Sequence, residues 1–531
     1  MTPASRRFPR LALAAASAVV LLTGITACTG DTEPDETGAA SQSSSASATP
    51  TAASADVIGD VPEDLLPFYS QDVAWDECEN GLRNSFRCAT VDVPLNYADP
   101  DGESIELAVI LAESDDKTPQ GTILLNPGGP GGSGYDIVSE SVDYVTTDRL
   151  RENFNILGFD PRGVGRSTPV ECLTDAELDA LREEYYDPAV PAGLEAARED
   201  ARELAAKCKA KTGELLGHVD TVSAARDMDI LRAVAGDEQL NYLGFSYGTF
   251  LGATYAELFP ERVGRMVLDG GLDPSASNED ITLGQAEGFE NAIRAYVEDC
   301  LTSADCPLSG STDQAIDTIR DLIASVEASP MTAKDGRTVT VSTFVTGLIV
   351  PLYNSDNWPV LTQALADALK GDPSTMLYLA DLNADRQPDG TYGSNTTVAF
   401  SAINCLDYPM TADDEQMALD AKKLEEASPT IGKFLGYGGI TCEYWPYEPV
   451  NTPHEIKAEG AAELLVIGTT GDPATPYQWS VALAEQLDSA TLVTWEGEGH
   501  TAYGRGDECI ANTVDDYFID GTVPGEDKVC S

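Results

Sequence analysis

The chain has 531 residues, 42% hydrophobic and 23% charged, with a formal net charge of −57. That length exceeds one minimal core and points to one large domain with a substantial insertion, or to two domains. A surface this acidic excludes nucleic acid and anionic membrane as partners held through the protein surface.

The first element in chain order is a targeting signal. Arg6, Arg7 and Arg10 precede an apolar stretch from Leu11 to Leu22, too short for a comfortable membrane span. It closes on Ile25-Thr26-Ala27-Cys28, which resembles the lipobox of bacterial lipoproteins. The expectation is a signal peptide over 1–27, lipidation of Cys28, and a flexible tether over 28–60 rich in Ser, Thr, Ala, Gly and acidic residues. An ordinary secretory signal with an incidental cysteine is the alternative. The Arg6-Arg7 pair raises twin-arginine export, although Pro9 sits badly in that motif. The expected location is outside the cell, held to the membrane only through lipid on Cys28 or released to the medium.

Ten cysteines remain after Cys28. An even number in an exported chain implies disulfides. Their clustering suggests sequential pairs: Cys78 with Cys88, Cys172 with Cys208, Cys300 with Cys306, Cys405 with Cys442, and Cys509 with Cys530. Metal-ligand spacing is absent, so no metal site and no cofactor are expected.

Folded sequence is expected from about residue 61. Ala89 to Leu95 and Ile105 to Leu111 read as strands joined by the turn Asp99-Pro100-Asp101-Gly102. Thr122-Ile123-Leu124-Leu125 is a short buried strand that runs into Asn126-Pro127-Gly128-Gly129-Pro130-Gly131-Gly132. A loop this rich in glycine lets backbone N–H groups approach a ligand, and no Gly-Lys-Ser/Thr follows to make it a phosphate loop. Asn155 to Phe159 is the next strand, leading into Asp160-Pro161-Arg162-Gly163-Val164-Gly165-Arg166-Ser167, read as structural with Arg162 paired to a carboxylate. The region between Cys172 and Cys208 reads as a charged helical surface excursion, and Thr221 to Ala235 as an amphipathic helix with Thr221 as N-cap.

The organising stretch follows. Leu240 to Phe245 is an apolar strand that enters Gly244-Phe245-Ser246-Tyr247-Gly248 and then a helix halted by Pro260. That is a nucleophile elbow, a turn that lifts a serine above a sheet. The strand Met266 to Asp269 continues the alternation of strand and helix, which means a parallel α/β sheet. The rhythm breaks after Pro274, and the sequence is mostly helical until about Pro453. It returns to strand at Glu463 to Gly468 and Ala490 to Trp495. The boundaries expected are a first core part over 61–274, a cap insertion over 275–454 and a second core part over 455–531.

A serine hydroxyl attacks only when a base takes its proton and that base is itself oriented. In this fold the order along the chain is Ser, acid, His. His500, in the glycine-flanked loop after the last strand, is the candidate base; His218 and His454 lie too early and read as structural. Asp472 follows the penultimate strand and is the candidate acid, with Asp269 as its rival. The backbone N–H of Tyr247 and one from Gly128 or Gly129 are the candidate oxyanion donors.

Together the elbow, the Gly-Gly-Pro-Gly-Gly loop, the Asp160-to-Ser167 loop, Gly471-Asp472-Pro473-Ala474-Thr475-Pro476 and Gly499-His500 resemble the proline-iminopeptidase-type α/β hydrolases. The similarity is greatest to the secreted tripeptidyl aminopeptidases, and it runs from about Leu65 to the C-terminus. It implies an α/β-hydrolase fold with a mostly parallel sheet and a large, mainly helical cap inserted before the last core strands. It also implies hydrolysis of peptides from a free N-terminus through an acyl-enzyme, with Ser246, Asp472 and His500 as triad. Two departures stand out: Pro127 replaces the usual His before Gly-Gly-Pro-Gly, and the cap is longer than in single-residue iminopeptidases.

An enzyme for free N-termini has to bind an ammonium group. A disulfide between Cys405 and Cys442 would bring Asp407 and Glu443 near each other beside Trp445, a candidate ammonium cage. Two other readings compete with the peptidase. An esterase or lipase would use the same triad, and a non-catalytic surface-binding lipoprotein would keep the fold and lack a triad member.

Overall fold

The computed structural model describes residues 54–531, apart from 79–81, 84, 115, 117 and 526–527. The expected signal peptide and Cys28 lie outside the described residues. Among the described residues there are twelve strands: β1 (Asp76–Glu77), β2 (Phe86–Pro94), β3 (Ser104–Ala112), β4 (Thr122–Asn126), β5 (Asn155–Phe159), β6 (Leu240–Phe245), β7 (Val263–Asp269), β8 (Met331–Thr332), β9 (Thr338–Val339), β10 (Leu464–Gly471), β11 (Ala490–Glu498) and β12 (Lys528–Cys530). All but β8 and β9 belong to one sheet in the order β1-β2-β3-β5-β4-β6-β7-β10-β11-β12. Pairing is antiparallel from β1 to β5 and parallel from β5 to β12.

Sequence explains the difference between the two halves. The central parallel strands are buried on both faces and so read as unbroken apolar runs, as in Ile123-Leu124-Leu125 and Leu464-Leu465-Val466-Ile467. The helices Thr221–Ala235 and Tyr247–Leu258 cover one face with Met228, Leu231, Phe250 and Leu251. Gly134–Val145 and Glu508–Asp520 cover the other with Val138, Val142, Val514 and Phe518. The helix Thr221–Ala235 has the expected span, but its N-cap is Asp220, whose side chain accepts from Ser223 N. Thr221 instead turns its hydroxyl toward the next layer.

The chain between β7 and β10 builds a second, helical layer with its own core, in which Phe289, Ile293, Phe344 and Leu361 meet. Helices Asp175–Glu183 and Pro191–Thr212 join it, so the region expected as a separate surface excursion is part of the cap. Ion pairs and a small apolar cluster make the link: Arg386 is bidentate to Asp179 at 2.6 and 2.8 Å, Arg182 reaches Asp381 at 3.0 Å, Arg198 reaches Glu443 at 2.8 Å, and Ala201 packs with Met417 and Ile440.

The helix Thr396–Asp407 bridges the two layers. At its start Asn395 donates to the carbonyls of Gly163 and Val170 at 2.9 and 3.0 Å and accepts from Gly165 N at 2.9 Å. The loop from Asp160 to Ser167 is thus the seat of the cap. Arg162 stiffens that seat from within, fully buried, bidentate to Asp227 at 2.7 Å and bonded to the carbonyls of Pro94, Leu95 and His218.

All five sequential cysteine pairs are disulfide-bonded. The tether expected as far as residue 60 ends sooner. Residues 54–60 are held on the core, Val57 O accepting from Arg232 at 2.7 Å and Asp60 O from Arg262 at 2.9 Å. Among the described residues no helix is long and apolar enough to cross a membrane.

Candidate active site

The C-terminal ends of the parallel strands point toward the cap, and the loops that leave β4, β6, β7, β10 and β11 meet there. Ser246 follows β6 directly and has φ 56° and ψ −124°, a conformation that costs a non-glycine residue about 1–3 kcal/mol. Tertiary contacts hold it. Ser246 N donates to Asp269 O at 2.9 Å, and Ser246 O accepts from Thr249 N and Thr249 Oγ1 at 2.8 and 2.6 Å. The turn is tight enough that a Cβ on Gly244 would lie 2.4 Å from Gly248 O.

His500 and Asp472 come together at the ends of β11 and β10. His500 Nδ1 stands 2.9 Å from both Asp472 oxygens. The carboxylate is buried and further held by Ala474 N and Thr475 N at 2.9 Å, Thr475 Oγ1 at 3.0 Å and Thr501 N at 3.1 Å. With Nδ1 committed to the carboxylate, the imidazole presents Nε2 for proton transfer. The rival acid does something else. Asp269 accepts from Ala502 N at 3.0 Å and from Tyr503 N at 2.7 Å, so it anchors the chain just after His500. Burial pushes its carboxyl up to about 6 against those stabilising N–H groups.

β7 also ties the base to the nucleophile. Its Asp269 carbonyl accepts from Ser246 N, and a Cβ on the next residue, Gly270, would lie 3.4 Å from His500 Cε1. No hydrogen bond joins Ser246 Oγ to the imidazole among the described residues, a common state before substrate binds. The cap reaches the base as well. His500 N donates to Tyr353 O at 2.8 Å, and the Tyr353 ring stands edge-on to the imidazole at 5.4 Å.

The glycine loop after β4 faces the elbow. Gly128 has φ +92°, and a Cβ there would lie 2.5 Å from Phe245 O and 2.9 Å from Ser246 Cβ. Only glycine lets the two loops touch. Gly128 N, however, donates to Asn126 Oδ1 at 2.9 Å. Of the two glycines expected as donors, Gly128 is therefore occupied, which leaves Gly129 as the candidate beside Tyr247.

A cavity of about 320 Å³ opens beside Ser246 and is lined by Gly129, Pro130, Tyr247 and Thr475 on the core side. Leu272, Ile281, Phe400, Tyr408 and Met410 supply apolar walls. His500 and its loop are not part of that lining. The leaving group of an acyl transfer has to lie against the imidazole that protonates it, which makes this cavity the candidate for the acyl side.

The expected ammonium cage is not formed. Asp407 is buried under the cap, accepting from Thr221 N at 2.9 Å and Thr221 Oγ1 at 2.5 Å. Thr221 Oγ1 in turn contacts the Tyr247 hydroxyl. Glu443 is paired to Arg198, and Trp445 is buried in the main core. The disulfide does join their two segments, but the Asp407 carboxylate is spent on the cap-to-core joint and that of Glu443 on an ion pair within the cap.

Burial raises the Asp407 carboxyl to about 7, with only neutral donors to offset it. A folded-state value above the ordinary 3.9 favours the fold at low pH, and that contribution is lost as pH rises from about 4 through 7. Asp407→Asn should therefore flatten the fall of Tm between pH 4 and 8, measured by thermal unfolding across that range.

His454 pairs with Glu257 at 3.0 Å and His218 offers its carbonyl to Arg162, so neither approaches Ser246 through these contacts. Tyr353 and Gln285, whose amide donates to Ala474 O at 3.0 Å, belong to the cap and carried no signal in the sequence. Thr475 did stand within a recognised motif.

A strained serine between a parallel strand and a helix, with a carboxylate-bound histidine three strands away, defines a serine hydrolase of the α/β-hydrolase fold. Residues 428–530 match the family described as TAP-like protein. Serine protease Hip1 of Mycobacterium tuberculosis is 36% identical over 492 residues, covering 89% of this chain and 94% of that one. Carboxylesterase B of the same species is 37% identical, covering 88% and 91%. Tripeptidyl aminopeptidase of Streptomyces lividans is 30% identical, covering 86% of each. The chain belongs to this TAP-like family of serine hydrolases and peptidases.

Proposed function

We propose that the protein cleaves short peptides from a free N-terminus, with Ser246 as nucleophile, His500 as base and then acid, and Asp472 as its orienting carboxylate. Ser246 Oγ attacks the scissile carbonyl while His500 Nε2 takes its proton. Tyr247 N and Gly129 N receive the oxyanion. The amine leaves with the proton from His500, and water then releases the acyl fragment by the same path.

The observation that carries this reading is where the acyl-side cavity leads. It shares Asn278, Thr282 and Gly438 with a second cavity that holds Glu279, Asp280 and Asp420 together with Lys423. Glu279 precedes Gln285 by six residues on the helix Asn278–Cys300, about 9 Å along its axis. Three residues of extended peptide span roughly 10 Å. An acyl chain of that length would bring its ammonium group to the acids. The relative named tripeptidyl aminopeptidase supports the same length, and the one named carboxylesterase makes ester hydrolysis the competing outcome.

Glu279→Gln and Asp420→Asn together should raise KM for tripeptidyl amides with a free amine by about tenfold and leave N-acetylated tripeptidyl amides unaffected. Equal effects on both substrates would contradict the free-N-terminus reading. Faster turnover of short acyl esters than of any peptide amide would favour the esterase. The five disulfides support an oxidising compartment, in line with a signal peptide over 1–27 and lipidation at Cys28. Core parts over 61–274 and 455–531, with a cap over 275–454 joined by 175–212, complete the organisation proposed.

A further inference from the structure

In a chain with a net charge of −57, the cavity beside Ser246 has no charged side chain in its lining. Its far wall is one face of the helix Thr396–Asp407, which Tyr408 ends in extended conformation and from which Phe400 and Asn404 project four residues apart. That spacing puts them in a row on one side of a helix. Phe400 is 48% exposed, whereas Tyr408, stacked on Phe250 at 6.3 Å, is 7% exposed. Phe400 thus offers a large apolar face with open cavity in front of it.

The wall is also fixed. Thr396 Oγ1 donates to Gly131 O at 3.1 Å, so the helix starts on the oxyanion loop, and Asp407 ends it on Thr221. The distance between Phe400 and the reacting carbonyl is therefore set by the same loop that carries Gly129.

We infer that the residue supplying the scissile carbonyl has an uncharged, preferably large apolar side chain, and that Phe400 is the specificity-determining contact for it. This rests on the acyl-side assignment of the cavity above. A charged side chain entering here would give up its water and find no partner of opposite sign in the lining. An aromatic or branched aliphatic one would cover Phe400 and gain burial.

The test is a panel of tripeptidyl amides, free at the N-terminus and differing only in the third residue: Ala, Leu, Phe, Asp or Lys. Leu and Phe should exceed Asp and Lys in kcat/KM by about 100-fold or more, the scale at which a hydrophobic pocket discriminates. Phe400→Ala should shrink the ratio of phenylalanyl to alanyl turnover at least tenfold, chiefly through KM. Asn404→Asp, which puts a carboxylate into the row, should raise lysyl relative to leucyl turnover by about tenfold. Charged and apolar third residues cleaved equally well, or an unchanged phenylalanyl-to-alanyl ratio in Phe400→Ala, would overturn the inference. If no amide is cleaved but acyl esters are, the peptidase reading fails on its own. The same comparison with apolar and charged acyl groups on an ester then decides the cavity's selectivity.

Discussion

Asp472→Asn should lower kcat by about 10⁴-fold with little change in KM. The imidazole tautomer sets the size of this loss. Both carboxylate oxygens stand 2.9 Å from His500 Nδ1, and the same oxygens accept from Ala474 N, Thr475 N, Thr475 Oγ1 and Thr501 N. An amide can keep one accepting oxygen for the backbone donors, so the loop should hold its shape. Its NH₂ would face Nδ1 and force the ring proton onto Nε2, where the base has to be empty. Asp269 lies nearby but is engaged by Ala502 N and Tyr503 N, so it cannot take over. Steady-state kinetics on a tripeptidyl amide, with Tm as a control for folding, checks this. A loss below tenfold would mean that Asp472 does not orient the base.

Gly128→Ala should lower kcat by about 10²–10³-fold, the scale set by one oxyanion donor. The new methyl would lie 2.5 Å from Phe245 O and 2.9 Å from Ser246 Cβ, both on the elbow, which is too constrained to yield. A positive φ of 92° adds strain for any side chain. The loop has to retreat, and Gly129 N goes with it. Because the remote contacts proposed for the substrate lie in the cap, KM should change much less than kcat. A boronate inhibitor, which mimics the tetrahedral adduct, should lose affinity in parallel with kcat.

The core was legible because its signals are local. β5 and β6 begin and end where the apolar runs do, the elbow glycines mark a turn that sterics demand, and the small number of histidines left few candidates for the base. Sequential cysteine pairing was legible for a related reason, since loops of 6 to 37 residues close easily between neighbouring elements.

Cap chemistry was not legible, and the two cap acids show why. Asp407 and Glu443 are joined by the disulfide between their segments, as expected, but carboxylate function depends on partners from elsewhere. Thr221 lies 186 residues before Asp407, and Arg198 lies 245 before Glu443. No periodicity in either segment announces such partners. That Gly128 N is already engaged was likewise invisible, because it turns on one side-chain acceptor, Asn126 Oδ1. Tyr353 meets His500 only through the path of the cap.

Every step of the proposed reaction requires Ser246 to become acylated. Intact-mass analysis after treatment with a fluorophosphonate tests it most directly, with peptide mapping to locate the adduct. The native protein should carry a single adduct on Ser246, absent from Ser246→Ala, with peptide turnover lost in step. An adduct on another residue, or equal labelling of Ser246→Ala, would contradict it.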